Sequence, residues 1–509
     1  MRTLPVGFAP YAWSAPTDEV ARLAGIDPSQ VLRFDQNTPP LPLPSTRPGT
    51  IGGALARVSG YPAGGYRALR RAIAGYAGVD PENIVLGAGA DDLILLVARA
   101  FAGPGDRIAV PAPPTYPLFQ ISAELAGAEV SDDDPVLTFA CRPNNPTGEL
   151  GELPQARPLV VDEAYFEYSG ETAASLIEDG VIVLRTFSKL FGLAGARIGY
   201  ALAGRGVAAE LNARQAPAPV STLSAELAIA ALGERPDPGP VVEERDRLAA
   251  ALRALGLEPS ESRANFLYVP APDAELLADA LLRQGLVVRS YPEAFRVSVR
   301  DRQDDDLLVE ALARLLDRPL PVAGAGGRSA RRLRATAETR IAVRLALDGA
   351  SRVRVASGIG LYDHLLEQLA FHAGFDLLLE GAVDLETGPH HGAEDSALAL
   401  GEALDEALGD RRGIARYGDA VVPMDDALAR AAVDLGGRAH AELQLERDPG
   451  LAGHMLSSLA RAARAAIHVE ASGRDDHHVA EAAFKAVGRA LRTAVRVEGT
   501  GLPSTKGRL

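Results

Sequence analysis

Up to residue 316 the chain sets short apolar runs, Ile84–Leu86, Arg107–Val110, Leu159–Val161 and Val181–Leu184, between longer Ala- and Leu-rich stretches. Continuous apolar runs of this length predict buried strands and the longer stretches predict helices. The rhythm therefore predicts an α/β fold with a largely parallel sheet. A smaller α+β piece is predicted over Leu248–Leu316, closing in the helical run DDDLLVEALARLL. The pattern then breaks in Arg318–Arg328, RPLPVAGAGGR, which lacks periodicity and precedes the basic run Arg331–Arg334. Three parts follow: a domain over 1–317, a linker over 318–330, and a domain over 331–509.

The last part repeats itself. His390-His391 with Glu394 recurs as His477-His478 with Glu481, and His364 in DHLLEQLAFH recurs as His454 in GHMLSSLARA. Both copies run on into Ala-rich helices, so a duplicated α+β unit with two equivalent half-sites is expected.

Composition sharpens this division. All nine histidines lie between His364 and His478, and the only lysines are Lys189, Lys485 and Lys506 among 52 basic residues. Arginine thus serves wherever charge suffices, and lysine is expected where amine chemistry or a compact ammonium matters. A net charge of −15 argues against a nucleic-acid or anionic-membrane partner. The single cysteine, Cys141, excludes an internal disulfide and suits a reducing cytoplasm. No apolar run is long enough to span a membrane, and the Pro- and Gly-containing start does not read as a signal peptide. A soluble cytoplasmic protein is expected.

Lys189 follows the strand Val181–Leu184 in RTFSKLFGLAGARIGY, where hydroxyls and an arginine could hold a phosphate beside an amine nucleophile. Asp162 and Tyr165 in VVDEAY end another strand, and a carboxylate there can keep a pyridine nitrogen protonated. Asn145 in PNNPTG can donate to a ring hydroxyl, Tyr116 in PPTYP can stack on a flat ring, and the GAGADD turn offers backbone N–H groups to a phosphate.

With NNPTG, DEAY and TFSKLFGLAGARIGY in that order, residues 30–316 resemble a fold-type I pyridoxal-phosphate aminotransferase, most nearly histidinol-phosphate aminotransferase. The resemblance implies that Lys189 forms the Schiff base with pyridoxal 5'-phosphate and Asp162 holds its ring nitrogen. It makes Asn145 and Tyr165 donors to the ring oxygen, Tyr116 the stacking ring, and Ala90, Asp91, Thr186, Ser188 and Arg197 the phosphate cup. Tyr61 matches a residue reaching the phosphate across a dimer interface. Arg296 matches the carboxylate-binding arginine, and Asn37 lies in a degraded substrate-side motif; the alternative for Tyr61 and Asn37 is that they are ordinary loop residues. Arg289 either holds a substrate phosphate or ends a solvated strand. The segments Tyr116–Asn144, Gly148–Val161 and Arg289–Arg296 are short against the family, which weakens substrate recognition more than cofactor binding.

In HHxxE on a helix, both imidazoles and the carboxylate are expected to address one side. With His364 and His454 they supply two sets of four ligands, His364, His390, His391, Glu394, His454, His477, His478 and Glu481 between them. Imidazole and carboxylate without thiolate suit Mn²⁺, Fe²⁺ or Zn²⁺. His440 and His468 lack such companions and read as structural.

Residues 331–509 resemble imidazoleglycerol-phosphate dehydratase through TAETRI, LYDHLLEQLAFHAGFDL, HHGAEDSALALGEAL, GIARYGDAVVPMDDALA, DHHVAEAAFKAVGRAL and PSTKG. The resemblance implies manganese at those ligands, two ions per site. It makes Glu338 and His372 substrate-side residues, Arg416, Arg438, Ser504 and Lys506 a phosphate grip, and Lys485 a catalytic neighbour. Gly388-Pro389 departs from the acidic residues the family carries before His390.

Together the resemblances imply a bifunctional enzyme of histidine biosynthesis. It would dehydrate imidazoleglycerol phosphate to imidazole-acetol phosphate, then transaminate that ketone with glutamate to histidinol phosphate. A homo-oligomer with sites at subunit interfaces is implied too. The alternatives are a different pyridoxal-phosphate enzyme in the first half, or one half kept as a non-catalytic assembly module.

Overall fold

The structure, a computed structural model, describes residues 8–39, 48–319, 328–336, 338–349, 351, 353–383 and 388–503. The chain divides into two compact units, Met1–Ala323 and Gly324–Leu509. Residues 320–327 of the expected linker lie outside the described residues. The second unit's first strand starts at Ser329, inside the expected linker.

Seven strands form the main sheet of the first unit: β1 (Ile84–Gly87), β2 (Arg107–Ala109), β3 (Glu129–Val130), β4 (Leu137–Cys141), β5 (Leu159–Asp162), β6 (Val181–Thr186) and β7 (Gly199–Leu202). Their order is β1-β7-β6-β5-β4-β2-β3, parallel throughout except for β7, which runs against both neighbours. Every residue of β4, β5 and β6 is buried because helices cover both faces, and that is why their sequence runs unbroken rather than alternating. On one face α1 (Ala90–Phe101) packs Leu93, Ile94 and Val97 against Val160, Ile182 and Leu184. On the other, Ile73 and Ala228 meet Val161 and Val183. Each fully buried branched side chain contributes about 1.5–3 kcal/mol.

The α+β piece holds β8 (Phe266–Pro270), β9 (Arg289–Tyr291) and β10 (Ala294–Ser298) in the antiparallel order β9-β10-β8. It begins earlier than expected, with the helix Gly239–Ala254, and recruits Leu32–Arg33, which pairs with Leu286–Val287. A hydrogen bond from Ser298 N–H to Phe34 O (2.7 Å) then brings residues 34–37 alongside β10.

The second unit is two copies of one motif. The first sheet contains β11 (Ser329–Ala335), β12 (Thr339–Ala346), β13 (Val353–Ala356) and β14 (Asp376–Val383), ordered β11-β12-β14-β13. The second contains β15 (Tyr417–Met424), β16 (Ala427–Asp434), β17 (His440–Leu445) and β18 (Ala466–Ser472), ordered β15-β16-β18-β17. Helices α2 (Gly360–Ala373) and α3 (His390–Leu408) pack on the first sheet, and α4 (Ala452–Ala462) and α5 (Asp476–Ala494) on the second. Helix α2 meets α5 and α3 meets α4, so one continuous core, with Leu365, Leu369, Phe484 and Leu491, lies between the sheets. No helix among the described residues is long and apolar enough to cross a membrane.

Candidate active sites

In the first unit the carboxyl ends of β1, β5 and β6 share one sheet edge, where parallel topology gathers loop side chains into a crevice. After β1 the turn at Gly89 opens α1, leaving its first N–H groups free of helical partners. Gly89 has φ 89°, and a Cβ there would come within 2.7 Å of Arg197 Nη2, so glycine lets the guanidinium reach the helix start. Arg197 Nη2 donates to Asp91 Oδ2 at 3.0 Å, and Tyr116 donates its hydroxyl to Asp91 Oδ1 at 2.9 Å. Thr186 and Ser188, at the end of β6, join hydroxyls at 2.9 Å. This is an anion cup of helix N-terminus, guanidinium and hydroxyls beside an aromatic face.

Asp162 is buried at the end of β5, where its Oδ1 accepts the Ala164 N–H at 3.0 Å. Desolvation, against that hydrogen bond, pushes its carboxyl up to about 7. Desolvation and then the Arg296 charge bring the Lys189 ammonium down to about 8. Lys189 Nζ donates to Gln36 O at 3.4 Å and sits 5.4 Å from the Tyr165 ring. Asn37, buried and at φ 53°, donates through Nδ2 to the Tyr165 hydroxyl at 3.0 Å, while its N–H donates to Ser298 Oγ at 2.8 Å. Arg296 donates to Asn145 Oδ1 at 2.5 Å and to Asp35 O at 2.6 Å. An amine, a carboxylate, an aromatic face and an anion cup at one edge fit pyridoxal phosphate.

Two expected residues stand apart from this group. Tyr61 is 92% exposed on its own chain. Arg289 is engaged by Ser14 Oγ (3.2 Å) and Ala12 O (3.1 Å), under the ring of Tyr11. Tyr11 in turn packs edge-on against Tyr116, with ring centroids 6.3 Å apart. The strand-end alternative for Arg289 therefore gives way to a wall built with the N-terminal segment, and no motif in the sequence marks Tyr11 for that place.

The raised Asp162 carboxyl has a stability consequence. Its folded value exceeds the unfolded value of about 4, so the native protein holds an extra proton between pH about 4 and about 7 and loses stability as pH rises through that window. In cofactor-free protein, Asp162→Asn is expected to raise Tm above about pH 7 and leave it unchanged near pH 4. Thermal melts across that range check this; an equal gain at both ends would remove burial of the charge as the cause.

In the second unit the repeat assembles two groups, each drawing on both halves. His364 of α2 faces His477 and Glu481 of α5, with the two imidazoles stacked at 5.6 Å and their Nε2 atoms 3.4 and 3.2 Å from Glu481 Oε2. His390 and Glu394 of α3 face His454 of α4, with rings at 4.9 Å and Nε2 atoms 3.7 and 3.5 Å from Glu394 Oε2. Within each group one ligand atom per residue lies within 4.8 Å of the others, spacing that suits one divalent ion. His454 Nε2 is buried with no hydrogen-bond partner, as an atom reserved for a metal would be.

The expectation that both imidazoles of HHxxE share one side is corrected. Residues i and i+4 face together, while i+1 is turned about 100° around the helix. His391 accordingly pairs with Glu338, and His478 Nδ1 lies 2.6 Å from Asp426 Oδ1, both outside the three-residue groups of their own chain. Asp475 caps α5 by accepting the N–H groups of His477 (2.9 Å) and His478 (3.2 Å), which fixes where that helix starts.

Each group's carboxylate keeps its other oxygen on a cation. Glu481 Oε1 accepts from Lys485 Nζ at 2.8 Å, and Glu394 Oε1 accepts from Arg461 at 2.9 Å. Desolvation raises both carboxyls, but these partners and the histidines leave them below the usual range. Arg461 was not legible as a site residue, because its i+7 spacing from His454 reads as an ordinary helix face. Lys485 also touches Met424 Sδ at 3.1 Å, and burial, then Lys485 and Arg489, lower the His372 imidazolium. Arg416 makes a two-pronged pair with Asp434 and donates to Pro503 O at 2.9 Å. Arg438 is exposed, and Ser504 and Lys506 lie outside the described residues.

Comparison with known proteins falls along the same division. The aminotransferase class I and II family model matches residues 29–134 and 131–312, and the imidazoleglycerol-phosphate dehydratase model matches 357–491. A dehydratase of that name from Methanothermobacter thermautotrophicus is 49% identical over 190 residues, covering 36% of this chain and 98% of that protein. One from Phytophthora nicotianae is 48% identical over 212 residues, 40% of this chain, which spans 47% of that relative's length. The crystal structure of histidinol-phosphate aminotransferase from Sinorhizobium meliloti with pyridoxal-5'-phosphate superposes with TM-score 0.53 at 25% identity, covering 61% of this chain and 96% of that one.

Proposed function

Because this chain belongs to the aminotransferase class I and II family through its first unit and to the imidazoleglycerol-phosphate dehydratase family through its second, we propose that it catalyses two consecutive steps of histidine biosynthesis. The second unit dehydrates imidazoleglycerol phosphate, and the first transaminates the resulting ketone, imidazole-acetol phosphate, with glutamate. The observation that carries this reading is the pair of sites: two His/Glu groups of metal-binding spacing in one unit, and Lys189, Asp162 and an anion cup in the other.

Pyridoxal phosphate, when bound, supplies an electron sink that lets an amino group move between carbon skeletons. Lys189 and Asp162 would hold it at aldehyde and ring nitrogen, with Arg197, Ser188, Thr186 and the α1 N-terminus on its phosphate. With its ammonium near 8, Lys189 Nζ can take up and return a proton close to neutral pH. Arg296 would bind the α-carboxylate of glutamate. In the second unit divalent metal, manganese by resemblance, supplies Lewis acidity toward an imidazole ring. Lys485 and Arg461 keep Glu481 and Glu394 ionised and oriented for it. His391, His478 and the exposed Tyr61 support sites completed by another copy of the chain.

The test is one assay supplying imidazoleglycerol phosphate, glutamate, Mn²⁺ and pyridoxal phosphate, read for histidinol phosphate. Formation of that product is expected. Ketone accumulation without amination would leave the dehydratase in place and reassign the first unit to another pyridoxal-phosphate reaction or to assembly.

A further inference from the structure

In the first unit a buried ion pair, used by neither candidate active site, lies behind the sheet edge that carries Asp162 and Lys189. Val161 and Val183 pack on one face of the sheet, and alternation puts Glu163 and Arg185 on that same face. Asp162 and Thr186 fall to the face of Val160 and Leu184. Arg185 donates through Nε and Nη2 to Glu163 Oε2 at 3.1 and 3.0 Å, and the two side chains are 4% and 1% exposed. Taking both charges out of water costs several kcal/mol each, and an apolar pair of like volume often stabilises a fold as well or better. Stability alone is therefore a weak reason for this pair, and its neighbours supply a stronger one.

Glu163 directly follows Asp162, and Arg185 directly precedes Thr186, with Lys189 three residues beyond. The Glu163 N–H donates to Leu184 O at 2.8 Å, which extends the β5–β6 ladder past Asp162. The loop 163–173 carries Tyr165, and the pair holds it at both ends and in the middle. Glu163 opens the loop, and the Phe166 ring lies 3.6 Å from the guanidinium. At its far end Thr172 Oγ1 accepts from Arg185 Nη2 at 2.7 Å and donates to Glu163 Oε2 at 2.8 Å, while the Ala173 N–H donates to Glu163 Oε1 at 2.5 Å. Glu167, on the same loop, accepts from Tyr76 at 3.4 Å, and desolvation pushes its carboxyl up to about 8. At neutral pH the cluster thus sets one cation against one anion.

We propose that the Glu163–Arg185 pair is a positioning element of the transamination site, fixing Asp162, Tyr165 and Lys189 relative to one another from behind the sheet. The proposal rests on the pyridoxal-phosphate reading of the first unit. The pair acts through backbone: two strand ends and both ends of one loop converge on a contact whose hydrogen bonds are directional. Apolar side chains would fill the same space without that direction. A shift of about 1 Å at a reacting group can cost about a hundredfold in rate. Arg296 is anchored elsewhere, on Asn145 and Asp35 O, so binding of the donor's carboxylate does not depend on the pair.

The test replaces both charges at once in the full chain, Glu163→Leu/Arg185→Met, so that no buried charge is left unpaired. This double variant is expected to melt close to the parent yet to lose transamination kcat on the order of a hundredfold, with KM for glutamate within about twofold. Its affinity for pyridoxal phosphate, titrated directly, should weaken on the order of tenfold, and the visible circular dichroism of the bound cofactor should change, because the groups around the ring have moved. Dehydration should stay at the parental rate. Arg185→Lys keeps the charge but not the full set of contacts to Glu163 and Thr172, and it should fall between parent and double variant in kcat and dichroism. Parental kcat, cofactor affinity and dichroism in the folded double variant would overturn the proposal and leave the pair as packing alone. If the double variant does not fold, Arg185→Lys decides, and parental kcat and dichroism there overturn it equally. A parent chain that binds no pyridoxal phosphate would instead overturn the reading of the first unit, and the proposal with it.

Discussion

Lys189→Arg is expected to abolish the visible absorbance of bound pyridoxal phosphate and to lower transamination on the order of a thousandfold or more, the scale seen when a covalent nucleophile is lost. Guanidinium stays protonated across the working range and cannot form the imine, whereas burial already draws the Lys189 ammonium down to about 8. Charge and length are nearly kept, so contact with Gln36 O and the Tyr165 ring should survive and the fold with it. Dehydration should be unchanged, which gives each preparation its own control. Absorbance spectra and the two separate assays check this; a variant retaining absorbance and transamination would remove Lys189 from its assigned place.

Lys189 was legible for a compositional reason: in a chain that uses arginine nearly everywhere, a strand-end lysine stands out. The strand runs 84–86, 107–110, 159–161 and 181–184 correspond to β1, β2, β5 and β6, because strands largely buried on both faces carry their signal in short continuous runs. The pairing of Leu32–Arg33 with Leu286–Val287 was not legible, since two residues carry no periodicity and the partner lies more than 250 positions away. That pairing nevertheless sets Asn37 and Asp35 against Tyr165 and Arg296, so part of the pocket depends on a contact that local pattern cannot encode. Tyr11 escaped for the same reason.

In the second unit the motif gave the ligands but not their grouping. Offsets of 87 and 90 residues identify equivalent histidines, yet which helices cross depends on packing. The structure pairs α2 with α5 and α3 with α4, so each metal group borrows one histidine from the opposite half.

Glu481→Gln is expected to cost metal affinity at one group on the order of a hundredfold while the other still binds, so Mn²⁺ titration of metal-free protein should lose about half its tight stoichiometry. A neutral amide is a poor ligand for a hard cation. The loss should be deeper here than for Glu394→Gln, for a reason visible in the surroundings. The Glu481 side chain is 7% exposed with Lys485 at 2.8 Å, so removing its charge leaves a largely buried ammonium beside two imidazoles and a metal position. Glu394 is 25% exposed and its cation, Arg461, is 63% exposed, so solvent screens what remains. Both changes should lower dehydration and leave transamination alone. Calorimetric titration with Mn²⁺, alongside both activities, checks the ranking. Full stoichiometry and parental affinity in Glu481→Gln would make that carboxylate a structural partner of Lys485 and return the His364–His477 pair to an ordinary stacked contact.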